Sequence, residues 1–171
     1  KTTATANVSI GHEAGRCITT GTRNTGIGYQ SQKETTTAQR NVGVGAYSLR
    51  YSTTGGCNVA VGDIAVYGNT TGAKNVGIGL SALECNLVGN NNVAVGFESQ
   101  KRNTCSFNST LGYRTLYCQT TGQRNTAIGH EAGYFMTTGC QNTFVGMSAG
   151  QNTTTGINNT LIGVDVCAGN S

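Results

Sequence analysis

The sequence predicts an all-β chain, a parallel β-solenoid or β-roll with ten 17-residue coils (one of them 16 residues), and three observations carry that prediction. The motif Asn-x-x-aliphatic-Gly recurs ten times, with its Asn at Asn7, Asn24, Asn41, Asn58, Asn75, Asn92, Asn108, Asn125, Asn142 and Asn159. Eight of the nine spacings are 17 residues, and Asn92 to Asn108 is 16; a fixed period near 20 residues marks a repeat architecture. A helical alternative fails, because no apolar stripe of period 3.6 survives the glycines and the recurring Thr-Thr-Gly. Residues 1–6 read as the tail of an earlier coil, so 1–171 is expected to be a single array without linker or second domain.

Numbering each Asn as position 1 gives every column of the repeat a physical role. Identical residues lie above one another in a stack, so the Asn amides are expected to bond along a ladder, and Asn and Gly to take the left-handed backbone at coil corners. Position 4 is always aliphatic: Ile10, Ile27, Val44, Val61, Ile78, Val95, Leu111, Ile128, Val145 and Ile162. It shares a strand face with the Val, Thr or Ser of position 2, and β-branched residues favour strands, so position 4 is the expected core. Position 5 is glycine throughout (Gly11, Gly28, Gly45, Gly62, Gly79, Gly96, Gly112, Gly129, Gly146, Gly163), read as a corner or a close approach to another chain. Position 8 is small in nearly every copy. Thr pairs such as Thr36-Thr37, Thr53-Thr54 and Thr70-Thr71 predict a second short strand at positions 12–14, closed by Gly. Ten coils stepping by about 4.8 Å make a rod on the order of 50 Å long.

Composition limits the function classes. With one sizeable aliphatic per repeat, 26 Gly and only 11% charged residues, any core is a thin strip along the stack. No run of 18 apolar residues exists, so no membrane insertion is expected. The formal charge of +4 is spread over many repeats and indicates no nucleic-acid site. Lys1 occupies position 12 and Ser171 position 13, a phase match that fits a segment of a longer array or subunits stacking head to tail. With no signal peptide and no initiator Met, Lys1 is expected to be a processed or trimmed end.

Seven cysteines, Cys17, Cys57, Cys85, Cys105, Cys118, Cys140 and Cys167, form neither CxxC pairs nor a zinc pattern. They are candidates for disulfides in an oxidising setting, against the alternative of free thiols. An odd number leaves at least one free or bonded to another chain. No metal site, cofactor or catalytic residue is expected. His12 and His130 share position 6 but lie seven coils apart. Among the carboxylates at position 7 (Glu13, Glu98, Glu131, Asp165), the nearest two are two coils apart, about 10 Å, against the ~5–9 Å of glycosidase pairs.

Arg23, Arg40, Lys74 and Arg124 at position 17, and Arg16, Lys33, Arg50 and Lys101 at position 10, make two broken basic columns. They read as solvated flanks, or as contacts to acidic glycans or a neighbouring subunit. The tyrosines at positions 6, 7, 10 and 11 suit subunit packing better than sugar stacking, because they form no single stripe. A Thr ladder on a solenoid can bind ice, but Leu87-Val88 interrupts this one.

Asn125-Thr-Ala-Ile-Gly-His-Glu-Ala-Gly133 followed by Thr137-Thr-Gly139 resembles the repeats of viral and phage tail-fibre-like proteins. More distantly it is similar to the head repeats of trimeric autotransporter adhesins, which form left-handed parallel β-rolls. The resemblance covers essentially all ten repeats. It implies a structural fibre outside a cell or on a virion surface, with an adhesive role, whose partner is itself, as a homotrimer or a head-to-tail filament, and beyond that a cell-surface glycan or receptor. The seven cysteines and the segment 97–107, which lacks Thr-Thr-Gly, depart from that pattern. The alternative is a monomeric ice-binding or glycan-binding β-solenoid.

Overall fold

In a computed structural model the chain is a parallel β-solenoid, described here over residues 3–167. Each coil contributes one three-residue strand: β1 (Val8–Ile10), β2 (Thr25–Ile27), β3 (Val42–Val44), β4 (Val59–Val61), β5 (Val76–Ile78), β6 (Val93–Val95), β7 (Ser109–Leu111), β8 (Thr126–Ile128), β9 (Thr143–Val145) and β10 (Thr160–Ile162). They form one ten-stranded sheet in chain order. The register is strict: Val76 pairs with Val93 and Ile78 with Val95, and the 16-residue coil keeps it, Val93 pairing with Ser109.

The missing residue falls at the Thr corner. In that coil the Cys105 carbonyl accepts from Asn92 Nδ2 at 2.6 Å, the place a position-15 carbonyl fills elsewhere. The strands therefore never notice the deletion.

Asn at position 1 makes two bonds per coil. Asn75 Nδ2 donates to the Gly89 carbonyl at 2.8 Å, closing its own coil, and Asn75 Oδ1 accepts the Asn92 N–H at 3.0 Å, joining the next coil. The same pair recurs from Asn7, whose Oδ1 accepts the Asn24 N–H at 2.8 Å, to Asn142, whose Oδ1 accepts the Asn159 N–H at 3.0 Å. The expectation of left-handed corners applies to other residues. No Asn of this column has positive φ; every non-glycine residue that does sits at position 7, 9 or 17, and the position-5 glycines span 126° to 140°. The cause is a run of overlapping turns after the strand. Ser31 N–H donates to Gly28 O, Lys33 to Gln30 and Thr35 to Gln32. Gln30 and Gln32 stand third in the first two of these turns, where a type II turn requires positive φ.

The second strand expected at positions 12–14 does not form. There the N–H groups of Thr36, Thr37 and Ala38 all converge on the Thr53 carbonyl, at 3.1, 3.1 and 3.2 Å, rather than alternating along a ladder. Thr36 Oγ1 donates to the same oxygen at 3.0 Å. Among the described residues the β pairing on this side is the isolated bridge Cys140–Ile157.

The core expectation is also corrected. Position 3, not position 4, points inward: Ala60, Ala94, Ala127 and Phe144 are buried, while Ile10, Val61, Ile78, Leu111, Ile128 and Ile162 are exposed. Ile27, Val44, Val95 and Val145 are half-buried. The physical reason is width. A 17-residue coil encloses room for little more than Gly or Ala at position 3, so the bulkier β-branched residues turn outward. The exception proves the volume limit: Phe144 fits because Gly133 and Gly150 stand beside it, and a Cβ on either would collide with its ring or with Leu116. Apolar packing forms two clusters, Leu49–Ala60–Ala65–Val66–Ala82–Leu83–Ala94 and Leu116–Ala127–Ala132–Met136–Phe144–Ala149. Between them lies a hydroxyl layer, where Ser99 Oγ meets Thr110 Oγ1 at 2.6 Å and Thr115 Oγ1 at 2.8 Å.

Candidate interaction surface

The strand side of the rod is the candidate surface. The outward columns at positions 2 and 4 run along all ten coils, and positions 1–5 hold no charged residue in any copy. Nine inter-strand steps of about 4.8 Å give this ribbon a length of roughly 43 Å. Its aliphatics are well exposed at both ends and in the middle: Ile10 58%, Leu111 52%, Ile128 40%, Ile162 68%. Soluble monomers seldom show contiguous apolar patches beyond a few hundred Å². The ribbon carries a depression of about 230 Å³, lined by Val93, Val95, Leu111, Thr126 and Ile128, where Ser109 is smaller than its column neighbours. Sequence reasoning placed these side chains inside; the signal that could have turned them outward is the residue between them at position 3, small in every coil but the last two.

The turn side is chemically different. All seven carboxylates lie at positions 6–11. Lys33 Nζ reaches Glu13 at 2.8 Å, with Arg16 paired to the same carboxylate; Glu98 takes Lys101 at 2.8 Å and Arg114 at 2.7 Å. Burial pushes the Glu98 carboxyl up, but the hydrogen bonds from Lys101 and Arg114 outweigh it and hold the group below its ordinary value. A depressed carboxylate adds stability above its unfolded pKa and loses it as pH falls through the folded one. Glu98→Gln is therefore expected to shrink the drop in melting temperature between pH 6 and pH 2.5, measured against the parent. An unchanged drop would show that this pair contributes nothing.

The aromatics of this side stack along the rod axis. Phe97, Tyr113 and His130 lie face to face at 5.3 and 4.8 Å, Tyr117 on Tyr134 at 5.2 Å, and His12 on Tyr29 at 5.2 Å. Arg50 sits over Tyr47, Tyr51 and Tyr67, and Arg114 over Tyr113. Ring faces spent on one another and on guanidinium groups do not present a platform for sugar rings.

The third side, positions 13–17, carries Thr, amides and cations. Its outward Thr row (Thr20, Thr37, Thr54, Thr71, Thr121, Thr138, Thr155) is broken at Val88 and again in the 16-residue coil, a pattern ill suited to an ice lattice. No cysteine is bridged to another within the chain. Cys17, Cys85 and Cys118 share position 11, and the nearest two of these, Cys85 and Cys118, are two coils apart, about 10 Å against the 7 Å limit for bridging. Among the described residues no group of three His, Cys, Asp or Glu side chains converges as a metal site, and His12 and His130 sit in separate ring stacks. No described helix is long and apolar enough to cross a membrane. Compared with family models, curated proteins and solved structures, the chain matches none.

Proposed function

We infer that this chain is a non-catalytic structural rod that assembles with identical chains into a fibre, strand side against strand side. The single observation that carries the reading is the charge-free ribbon of outward side chains at positions 2 and 4, aliphatic in every coil at position 4. A second copy is its natural cover. The ribbon is free of charge along the whole rod and has an aliphatic at position 4 of every coil, so the same surface on two chains is chemically compatible, and sheets pack face to face at about 10 Å through such side chains. The thin interior supports the same reading, since one chain buries few large apolar groups of its own. The repeat resemblance supports a fibre outside a cell or on a virion, as a homotrimer or a head-to-tail filament, with an adhesive role.

The test separates fold from assembly. Ile78 is 38% exposed and Ile128 40%, so Ile78→Asp with Ile128→Asp is expected to keep the β circular dichroism of the parent, with a melting temperature that no longer depends on protein concentration. The native mass is expected to fall from oligomer to monomer, because buried unpaired carboxylates cost several kcal/mol at a dry interface. Light scattering on both proteins reads this directly. A parent that is already a monomer at 100 μM sinks the assembly reading.

A further inference from the structure

The distribution of charge around the coil is sharply uneven. The carboxylate side carries Arg16, Lys33, Arg50, Lys101, Arg102 and Arg114 against its seven acids. The position-17 column carries Arg23, Arg40, Lys74 and Arg124 with no acid anywhere between positions 12 and 5 of any coil. The molecule's excess positive charge therefore resides on one edge. These four side chains are exposed, and the ion pairs found among the described residues all lie on the other side. Their backbone is left-handed at every level, with φ of 60°, 58°, 59° and 57°, so the four stand at equivalent corners of the stack. The coil step of about 4.8 Å puts Arg40 roughly 5 Å beyond Arg23, Lys74 roughly 10 Å beyond that and Arg124 a further 14 Å.

We propose that this edge is a binding site for a linear anionic polysaccharide laid along the rod. The cations hold its sulfate or carboxylate groups, and the neighbouring hydroxyls and amides, Thr37, Thr54, Thr71, Gln39 and Gln123, meet its hydroxyls. A sugar polymer suits the edge better than nucleic acid. Single strands are held by stacking bases on aromatic platforms, and the aromatic side chain of this column is Phe107, already covered by Arg124 at 5.8 Å. The proposal gives the adhesive part of the fibre reading a site, yet uses no residue of the strand ribbon, so the Ile78 and Ile128 variants leave it intact and the two readings fail separately.

Retention on heparin, a sulfated polysaccharide, tests it, with Arg40→Gln/Lys74→Gln compared against Arg16→Gln/Arg102→Gln, which removes the same charge from the other side. Counterion release makes the logarithm of affinity fall linearly with that of salt, with a slope set by the number of cations engaged. The parent is expected to bind at low salt, the position-17 variant to show roughly half the parent's slope, and the control to match the parent within about twofold. Equal losses in both variants would mean that only net charge matters, and would overturn the site. So would absence of parent binding at 20 mM salt, or tighter binding to a thirty-residue oligothymidylate than to heparin.

Discussion

Gly79→Ala, a change of one methyl group, is expected to cost the fold about 3 kcal/mol or more. Gly79 has φ +126°, a region that side-chain-bearing residues rarely enter, and a Cβ there would stand 2.5 Å from the Gly96 carbonyl oxygen and 2.7 Å from its carbon. Neither atom can yield. Both belong to the backbone of the next coil, and Gly96 N–H is itself tied to the Ile78 carbonyl at 2.7 Å. Relief requires parting two coils, which breaks the register above and below. For a chain of this size, a loss near 3 kcal/mol lowers the melting temperature by roughly 10 °C. Gly26→Ala is the matched control. It has no positive φ, its nearest neighbour to a new Cβ is 3.5 Å away, and alanine already fills the same place at Ala60. A Gly79→Ala protein that melts with the Gly26→Ala protein would refute the close-approach account of position 5.

Removing one rung of the amide column ranks next. Asn75→Ala orphans the Asn92 N–H and takes one of two donors from the Gly89 carbonyl, which keeps Asn86 Nδ2 at 3.0 Å. A buried group left without a partner costs about 1–3 kcal/mol, and that is the loss expected here. Aspartate discriminates this hydrogen-bond account from simple loss of volume. Asn75→Asp keeps the acceptor for Asn92 but turns an oxygen toward the Gly89 carbonyl. At neutral pH it is expected to be at least as destabilised as alanine. Once acid protonates the carboxyl, the OH can donate to Gly89, so its melting temperature relative to the parent should rise as pH falls toward 3. An alanine variant within 1 kcal/mol of the parent, or an aspartate variant indifferent to pH, would remove the ladder from the account of stability.

The period, the number of coils and the alignment of columns were legible because each depends on chain distance alone. The inward side of the strand was not. The usual rule sends large aliphatics to the core, and Ile78 and Ile128 obey it only if the chain has partners; within one chain the interior is too narrow and Gly77 or Ala127 takes the inner place. The run of turns at positions 5–12 was hidden for another reason. Ile64 and Val66 hold left-handed backbone there with φ of 57° and 52°, against their own preference, because the stack fixes that geometry at every level. Thr-Thr misled in the opposite direction: its β propensity was overridden by hydroxyls and N–H groups gathering on one carbonyl. The cations of position 17 were read correctly as a column, but their isolation from every carboxylate emerged only once the coil was closed and its sides could be told apart.

The backbone bonds that join one coil to the next run parallel to the rod, among them Gly96 N–H to the Ile78 carbonyl on the strand side and Thr36 N–H to the Thr53 carbonyl at the Thr corner. That orientation has a mechanical consequence. Tension applied along the axis loads the coils in series, so a single chain peels one turn at a time and yields at the force of its weakest step. Bending instead stretches the bonds on one side while compressing those on the other, and meets the whole ten-stranded sheet at once. A lone rod is therefore a good strut and a poor rope, and chains laid side by side along their strand faces are what would let it carry a pull.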